Sequence, residues 1–378
     1  MSPPQPLVDQ FQRRITYLRL SVTDRCDLRC AYCMPERMTF LPKKEVLTLD
    51  EMHDLALGFM ARGITKLRLT GGEPLVRRDM MDLVRALGRR IGNDEGHGHL
   101  QELTLTTNGT RLAEFADELR AAGVRRINVS LDTLDRATFA RLTRRDSLPQ
   151  VLEGMAAAKA AGLEVKINTV ALKGINEHEI ADIIAWAHGQ GFGVTLIEVM
   201  PLGEVEEDRI DHYLPLMHVH DDLSRRWTLT PSAHRTGGPA RYWDVAETGG
   251  RLGLITPLTN NFCEGCNRIR VTATGQLYAC LGGNERVDLR AALRSDDPDR
   301  ALAEALDTAM RIKPARHHFA IDERGAAPAL ARHMSMTGGD IAEETGVPGA
   351  SRRSRRGSLP GHCQSGAAGL ERSSGDTW

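Results

Sequence analysis

The chain has 378 residues, 41% of them apolar, with 49 basic residues against 50 acidic ones. That is enough apolar material for one large domain or two ordinary ones. The near-neutral balance excludes a broad field drawing in nucleic acid or an anionic membrane, so any bound anion must be held locally. The opening stretch "MSPPQPLVDQFQRR" lacks the apolar centre of a signal peptide, and no apolar run approaches a membrane span. Both features predict a cytoplasmic protein, in which the seven cysteines serve metal binding or catalysis rather than structural disulfides.

After an N-terminal segment, 1–14, residues 15–200 repeat a short β-rich run followed by a helical pattern, as parallel βα units do. The strand candidates are "ITYLRLSV", "ITKLRLT", "ELTLTTN", "RINVSLD", "EVKINTV" and "VTLIEV". Between them lie helices such as 49–60, opened by a capping box of Thr48 and Glu51, and 112–122, closed by Gly123. Six units are fewer than the eight of a closed TIM barrel, so the expected fold is α/β, a partial (β/α)6 TIM-like barrel, with a doubly wound sheet as the alternative. Residues 201–339 change character, with short strands in "GPARYWDV" and "GRLGLITPL", and are expected to cover the open side. Residues 340–378 are rich in Gly, Ser and Arg with few large apolar side chains, the composition of a disordered extension.

The first strand candidate leads into "SVTDRCDLRCAYCMPE", where Cys26, Cys30 and Cys33 stand in a C-x3-C-x2-C spacing. Three thiolates can hold three irons of a [4Fe–4S] cluster and leave the fourth open. A zinc site would need a fourth ligand, and buried cysteines acting as small apolar side chains are the plainest alternative. The second strand ends in "LRLTGGEPL", whose adjacent glycines permit a close backbone approach. Further on, "NNFCEGCNRIRVTATGQLYACLGG" supplies Cys263, Cys266 and Cys280, a second trio with an open position if it holds a cluster. Arg268 and Arg270 alternate after it, so an extended strand turns both to one face, where guanidinium groups suit a phosphorylated ligand. Lys166, inside "EVKINTV", is costly to bury without an anion to meet it.

The first cysteine spacing, placed after a first strand and followed by repeated βα units, resembles the radical S-adenosylmethionine (SAM) superfamily. Adding "LTTNG", "INVSLD", "VKINTV", "IEVMPLG", "FCEGCNRIRVTATGQLYACL" and "HMSMTGG" in this order, the stretch from Arg14 to Gly339 resembles the GTP 3′,8-cyclase family within it. The resemblance implies two [4Fe–4S] clusters, one on Cys26, Cys30 and Cys33 and one on Cys263, Cys266 and Cys280. It implies SAM as cofactor, near Tyr32, Gly72, Ser130 and Met200. It implies GTP contacts from Arg19, Arg68, Thr106, Lys166 and the segment Arg268, Ile269, Arg270, with Arg268, Arg270 and a C-terminal Gly338-Gly339 in catalysis. The implied reaction uses a SAM-derived radical to take hydrogen from C3′ of GTP and joins C3′ to C8. An accessory protein, cyclic pyranopterin monophosphate synthase, would take the product onward, and a cellular electron donor would feed the clusters; the homodimer is the oligomer considered.

Two features depart from the family pattern. "TLIE" has Thr195 and Leu196 where many relatives carry an arginine thought to hold phosphate, so Thr195→Arg is expected to tighten GTP. The chain also continues for 39 residues after Gly339. The rival readings are a radical SAM peptide modifier or dehydrogenase with an auxiliary cluster and, in another class, an iron–sulfur or zinc binding module.

Overall fold

In "YLRLS", "KLRLT", "ELTLTT" and "RINVS", large apolar residues alternate with polar ones. Period-two alternation sends each set to its own face of a sheet. The computed structural model describes residues 5–93, 96–203, 209–259, 262–321 and 328–330. These all belong to the unit 1–344, one of two into which the chain divides. The positions expected at Gly338 and Gly339 and the extension 340–378 lie outside the described residues.

Six parallel strands follow the expected order: β1 (Tyr17–Ser21), β2 (Lys66–Thr70), β3 (Glu102–Thr107), β4 (Arg126–Ser130), β5 (Glu164–Ala171) and β6 (Gly193–Glu198). The later chain adds β7 (Leu229–Pro231), β8 (Arg241–Val245), β9 (Gly250–Ile255), β10 (Arg268–Val271), β11 (Gln276–Tyr278) and β12 (Arg286–Asp288). All twelve form one sheet, ordered β12-β11-β10-β1-β2-β3-β4-β5-β6-β9-β8-β7. β1 and β6 are not joined to each other, so the six-unit barrel is open. The C-terminal region takes a more specific form than a lid. It hydrogen-bonds onto both edges, β10 parallel to β1 and β9 parallel to β6, which leaves neither inner edge unpaired.

The apolar set of the strands, including Leu18, Leu20, Leu67, Leu69, Leu105, Ile127, Val129, Ile167 and Leu196, is buried. It forms one core with helix residues such as Leu55, Phe59, Leu87, Leu119, Val151 and Ile184. The helices form where the sequence signals place them. Helix Leu49–Ala61 carries the full Thr48/Glu51 capping box, and Gly123 follows helix Leu112–Ala121 at φ +91°. The polar set of the strands turns to the opposite side. That side holds the site.

Candidate active site

One cavity of about 290 Å³ lies against the polar face, lined from β1 through β6, from β9 and β10, and from the loops after β1, β2 and β3. It brings together both cysteine trios and Arg19, Tyr32, Arg68, Gly72, Thr106, Ser130, Lys166, Met200, Arg268 and Arg270. Ile269 is the exception among the described positions. Strand alternation turns its side chain into the core, fully buried, so only its backbone is available to a ligand.

Register explains how so many charges meet. Arg19 stands level with Arg270 on one side and Arg68 on the other, so three neighbouring strands put three guanidinium groups in a row. Lys166 stands level with Asn128, and Asn128 with Thr106, across β5, β4 and β3. Arg68, Lys166, Arg268 and Arg270 are only 5–8% exposed, and among the described residues none has a carboxylate partner. Such charges are costly to bury unless a ligand completes them. Arg68 donates to Tyr17 Oη at 2.6 Å and Thr106 Oγ1 at 2.9 Å. Lys166 donates to Tyr242 Oη at 2.5 Å. Burial, then the charges of Arg68, Arg126 and Lys66, bring Lys166 down to about 7. Burial alone would raise Tyr17, but Arg68, Arg19 and Lys66 outweigh it and bring the phenol to about 8.

Two lining cations were not singled out from the sequence, Lys66 and Arg126. Their signal was the same alternation that marks Arg68 and Asn128 as cavity-facing. They differ in being paired, both at 2.5 Å to Glu102. Tyr242, also missed, lies on a short C-terminal strand with nothing local to mark it. It bears on the missing arginine of β6. A Cβ on Gly253 would lie 2.8 Å from Thr195 Oγ1 and 2.9 Å from Tyr242 Cε1. Tyr242 and the fully buried Thr195 therefore already crowd that corner. An arginine introduced by Thr195→Arg would have to extend past Tyr242 to reach a phosphate.

The two cysteine loops have similar local geometry, a turn in which Cys33 N donates to Cys30 O (2.9 Å) and one in which Cys266 N donates to Cys263 O (3.1 Å). The glycines after β2 seat the first loop. Gly71 has φ +141°, and a Cβ there would lie 2.4 Å from Thr23 O; one on Gly72 would lie 2.3 Å from Arg25 O. The close approach these glycines allow is thus that of the cysteine loop itself, held by Gly72 N to Thr23 O (2.9 Å) and Glu73 N to Arg25 O (2.8 Å). Glu73, fully buried, joins this loop to the next by accepting from Thr107 Oγ1 at 2.9 Å and Asn108 N at 2.6 Å. Tyr32 Oη donates to Asp132 Oδ2 at 2.5 Å, which fixes the ring against the cavity.

Burial, then the charge of Glu73, pushes the Cys26 thiol up to about 12, and burial with Cys26 and Asp132 nearby pushes Cys30 well above its ordinary value. At the other trio burial also raises Cys266, but Lys313 and Arg268 outweigh it and bring the thiol to about 7. Among the described residues no three His, Cys, Asp or Glu are gathered closely enough for a single metal ion. A [4Fe–4S] cluster takes one thiolate per corner iron and spreads its ligands, and soft thiolates are its donors, so both trios fit that group.

Residues 20–187 match the radical SAM superfamily and residues 192–319 match the family described as Molybdenum Cofactor Synthesis C. A GTP 3′,8-cyclase of Erythrobacter litoralis (strain HTCC2594) is 73% identical over 333 residues, 88% of this chain and 98% of that protein. The chain belongs to the GTP 3′,8-cyclase family. A second cyclase, from Rhizobium meliloti (strain 1021), is 60% identical over 88% of this chain and 95% of its own length. Among solved structures, SuiB of Streptococcus suis bound to precursor peptide SuiA superposes with a TM-score of 0.56 at 15% identity, over 79% of this chain and 67% of that one. At that identity the likeness is one of fold, the partial barrel of radical SAM enzymes. Membership in the family makes SAM and [4Fe–4S] clusters this protein's cofactors. Among the described residues no helix is long and apolar enough to cross a membrane.

Proposed function

We propose that the protein converts GTP into 3′,8-cyclo-7,8-dihydro-GTP, the first step of molybdenum cofactor biosynthesis. The observation that carries this reading is the single cavity with a cysteine trio at each end and buried, carboxylate-free cations between them. In it Cys26, Cys30 and Cys33 would hold one cluster, with SAM against Tyr32, Gly72, Ser130 and Met200. Cys263, Cys266 and Cys280 would hold the other. When bound, the first cluster and SAM together supply hydrogen-atom abstraction.

The remaining work belongs to this chain's side chains. Arg19, Arg68, Thr106, Lys166, Arg268, the Ile269 backbone and Arg270 bind the nucleotide, and the row Arg270–Arg19–Arg68 offers a triphosphate three guanidinium forks. Tyr242 holds Lys166 at one position, so that less freedom is lost when the phosphates arrive. Asp132 fixes Tyr32. The apolar lining from Leu28, Met34, Val170, Ile197 and Ile255 keeps water from the reacting carbon. Arg268 and Arg270, which touch the substrate in this assignment, and the Gly338-Gly339 pair are the catalytic candidates. Residues 15–200 form the SAM region and 201–339 the substrate-cluster region in this scheme. The protein acts in the cytoplasm with a cellular electron donor, as monomer or homodimer, and passes its product to cyclic pyranopterin monophosphate synthase.

The test is anaerobic turnover of the reconstituted full chain with SAM, a strong reductant and GTP, read by mass spectrometry. 5′-Deoxyadenosine together with a GTP isomer carrying the 3′,8 bond is the expected result. Protein shown to carry eight irons that makes neither would refute the assignment, and 5′-deoxyadenosine alone would point to a different substrate.

A further inference from the structure

We propose that Lys313 is a positioning residue that sets the C-terminal cluster at a higher reduction potential than the N-terminal one. The inference rests on the two-cluster reading above. Lys313 follows helix Pro298–Ile312, whose buried Leu302, Leu306, Ala309 and Met310 anchor it to the body of the protein. Its side chain is 1% exposed. Nζ donates to Ala279 O at 2.5 Å and Arg268 O at 3.0 Å, and lies 3.7 Å from Cys266 Sγ. An ammonium has three donors and no acceptor, and three acceptors surround it, a set the charged form satisfies against the burial that lowers it. One carbonyl belongs to the neighbour of Cys280 and the other lies two residues past Cys266, so the same group also ties two ligand loops together.

Lys313 does not line the cavity. The charges of Arg268 and Arg270, which do line it, are offset when a polyanion binds, whereas that of Lys313 persists in every substrate state. Arg13, which also reaches this loop through Cys263 O at 2.8 Å, is neutralised by Asp9 at 2.6 Å. The N-terminal trio has one cation on its backbone, Arg29, which donates to Cys26 O at 2.5 Å and Leu28 O at 2.7 Å, but the charges that act on its thiols are carboxylates. Cys26 Sγ lies 3.9 Å from Asp27 Oδ1 and 3.7 Å from Asn108 Nδ2, with the buried Glu73 and Asp132 beyond. Adding one electron to a cluster increases its negative charge, which a fixed cation favours and carboxylates disfavour; hydrogen bonding and net charge are the protein's levers on such potentials. The C-terminal centre therefore accepts an electron first, and the N-terminal one is left as the stronger reductant.

The experiment is an anaerobic dithionite titration of the reconstituted full chain followed by electron paramagnetic resonance, with SAM added to separate the N-terminal signal. Lys313→Gln keeps N–H donors for the two carbonyls and removes the charge, and Lys313→Arg keeps the charge. In Lys313→Gln the ratio of reduced to oxidised C-terminal cluster at a fixed potential is expected to fall about tenfold, or about 59 mV for one electron. The N-terminal cluster should not move, and Lys313→Arg should stay near the parent. A Lys313→Gln protein with full iron content and unchanged potentials overturns the proposal. So does loss of the C-terminal cluster from Lys313→Gln, since the lysine would then be building the loop rather than tuning it. Parent protein with only about four irons would instead refute the two-cluster reading beneath it.

Discussion

The two cysteine trios are alike over a few residues and differ in the side-chain charges nearest their thiols. Each closes on a Cys-x-x-Cys turn at one end of the same cavity. Around Cys26 and Cys30 the fold gathers Asp27, Glu73 and Asp132, and the thiols rise; in the other trio burial raises Cys263 as well, but at Cys266 Lys313, Arg268 and Arg270 outweigh burial and the thiol falls to about 7. The difference teaches that a ligand motif specifies which metal group can bind, while the charges folded around it specify what that group does. A carboxylate-flanked centre suits electron donation to SAM. A cation-flanked centre, continuous with the arginine row, suits holding an anionic nucleotide.

The sharpest way to break this comparison is to remove each trio in turn. Cys30→Ala should halve the iron from about eight to about four per chain and abolish 5′-deoxyadenosine formation. Cys266→Ala should lose a similar amount of iron, keep 5′-deoxyadenosine formation and lose the cyclised nucleotide. Identical phenotypes for the two variants would mean that the two ends do not divide the work.

The cationic end can be weakened without touching a cysteine. Arg270→Ala removes one fork of the row, and loss of a buried charged contact should weaken GTP binding by about 2–5 kcal/mol. SAM affinity, measured in parallel by equilibrium binding, should stay within about threefold of the parent. A comparable loss for SAM would erase the distinction between the ends.

The pH dependence of GTP binding separates Lys166 from the arginines, which stay charged. With Lys166 at about 7 in the empty enzyme, a triphosphate must recruit its charged form, so affinity should fall by up to about tenfold per pH unit above 7. Lys166→Met should bind more weakly and lose this slope. Between about 7 in the folded chain and about 10.4 in the unfolded one, the unfolded state binds more protons. The stability of the empty enzyme therefore rises with pH in that window, opposite to GTP binding. Parallel titrations by calorimetry and by denaturant would show whether the two slopes have opposite signs.

The smallest effect is expected away from both ends. Thr48→Ala breaks the capping box of helix Leu49–Ala61 and should cost about 1 kcal/mol of stability by denaturant unfolding. Potentials and product ratio should be unchanged.

Much of this was legible in the sequence. The six strand candidates, the capping box and the cysteine spacings are local signals, written in residues a few positions apart, and the described structure contains all six strands. Lys66 and Arg126 were legible in principle through alternation, but alternation alone does not say which face carries a cavity. Tyr242 was not legible, because its partners Lys166 and Thr195 are distant in sequence and nothing local shows which face of its strand meets them. The glycine pair is legible as a close backbone approach; its second role, seating the cysteine loop where a Cβ would meet Thr23 O and Arg25 O, is not, because that loop lies about fifty residues earlier.

By itself the sequence determined the donor chemistry of each trio, the order of the parallel strands and which residues alternate to a common face, since these follow from covalent spacing and strand geometry. Only the tertiary structure decided that β10 pairs with β1 and β9 with β6. That pairing places Arg270 beside Arg19, Tyr242 against Lys166 and Lys313 beneath Cys266. The physical reason is that strand register and edge pairing are chosen by burial of the apolar face and satisfaction of the sheet edges across the whole fold. The electrostatic character of each end is a sum over residues that only this folding brings within a few ångströms.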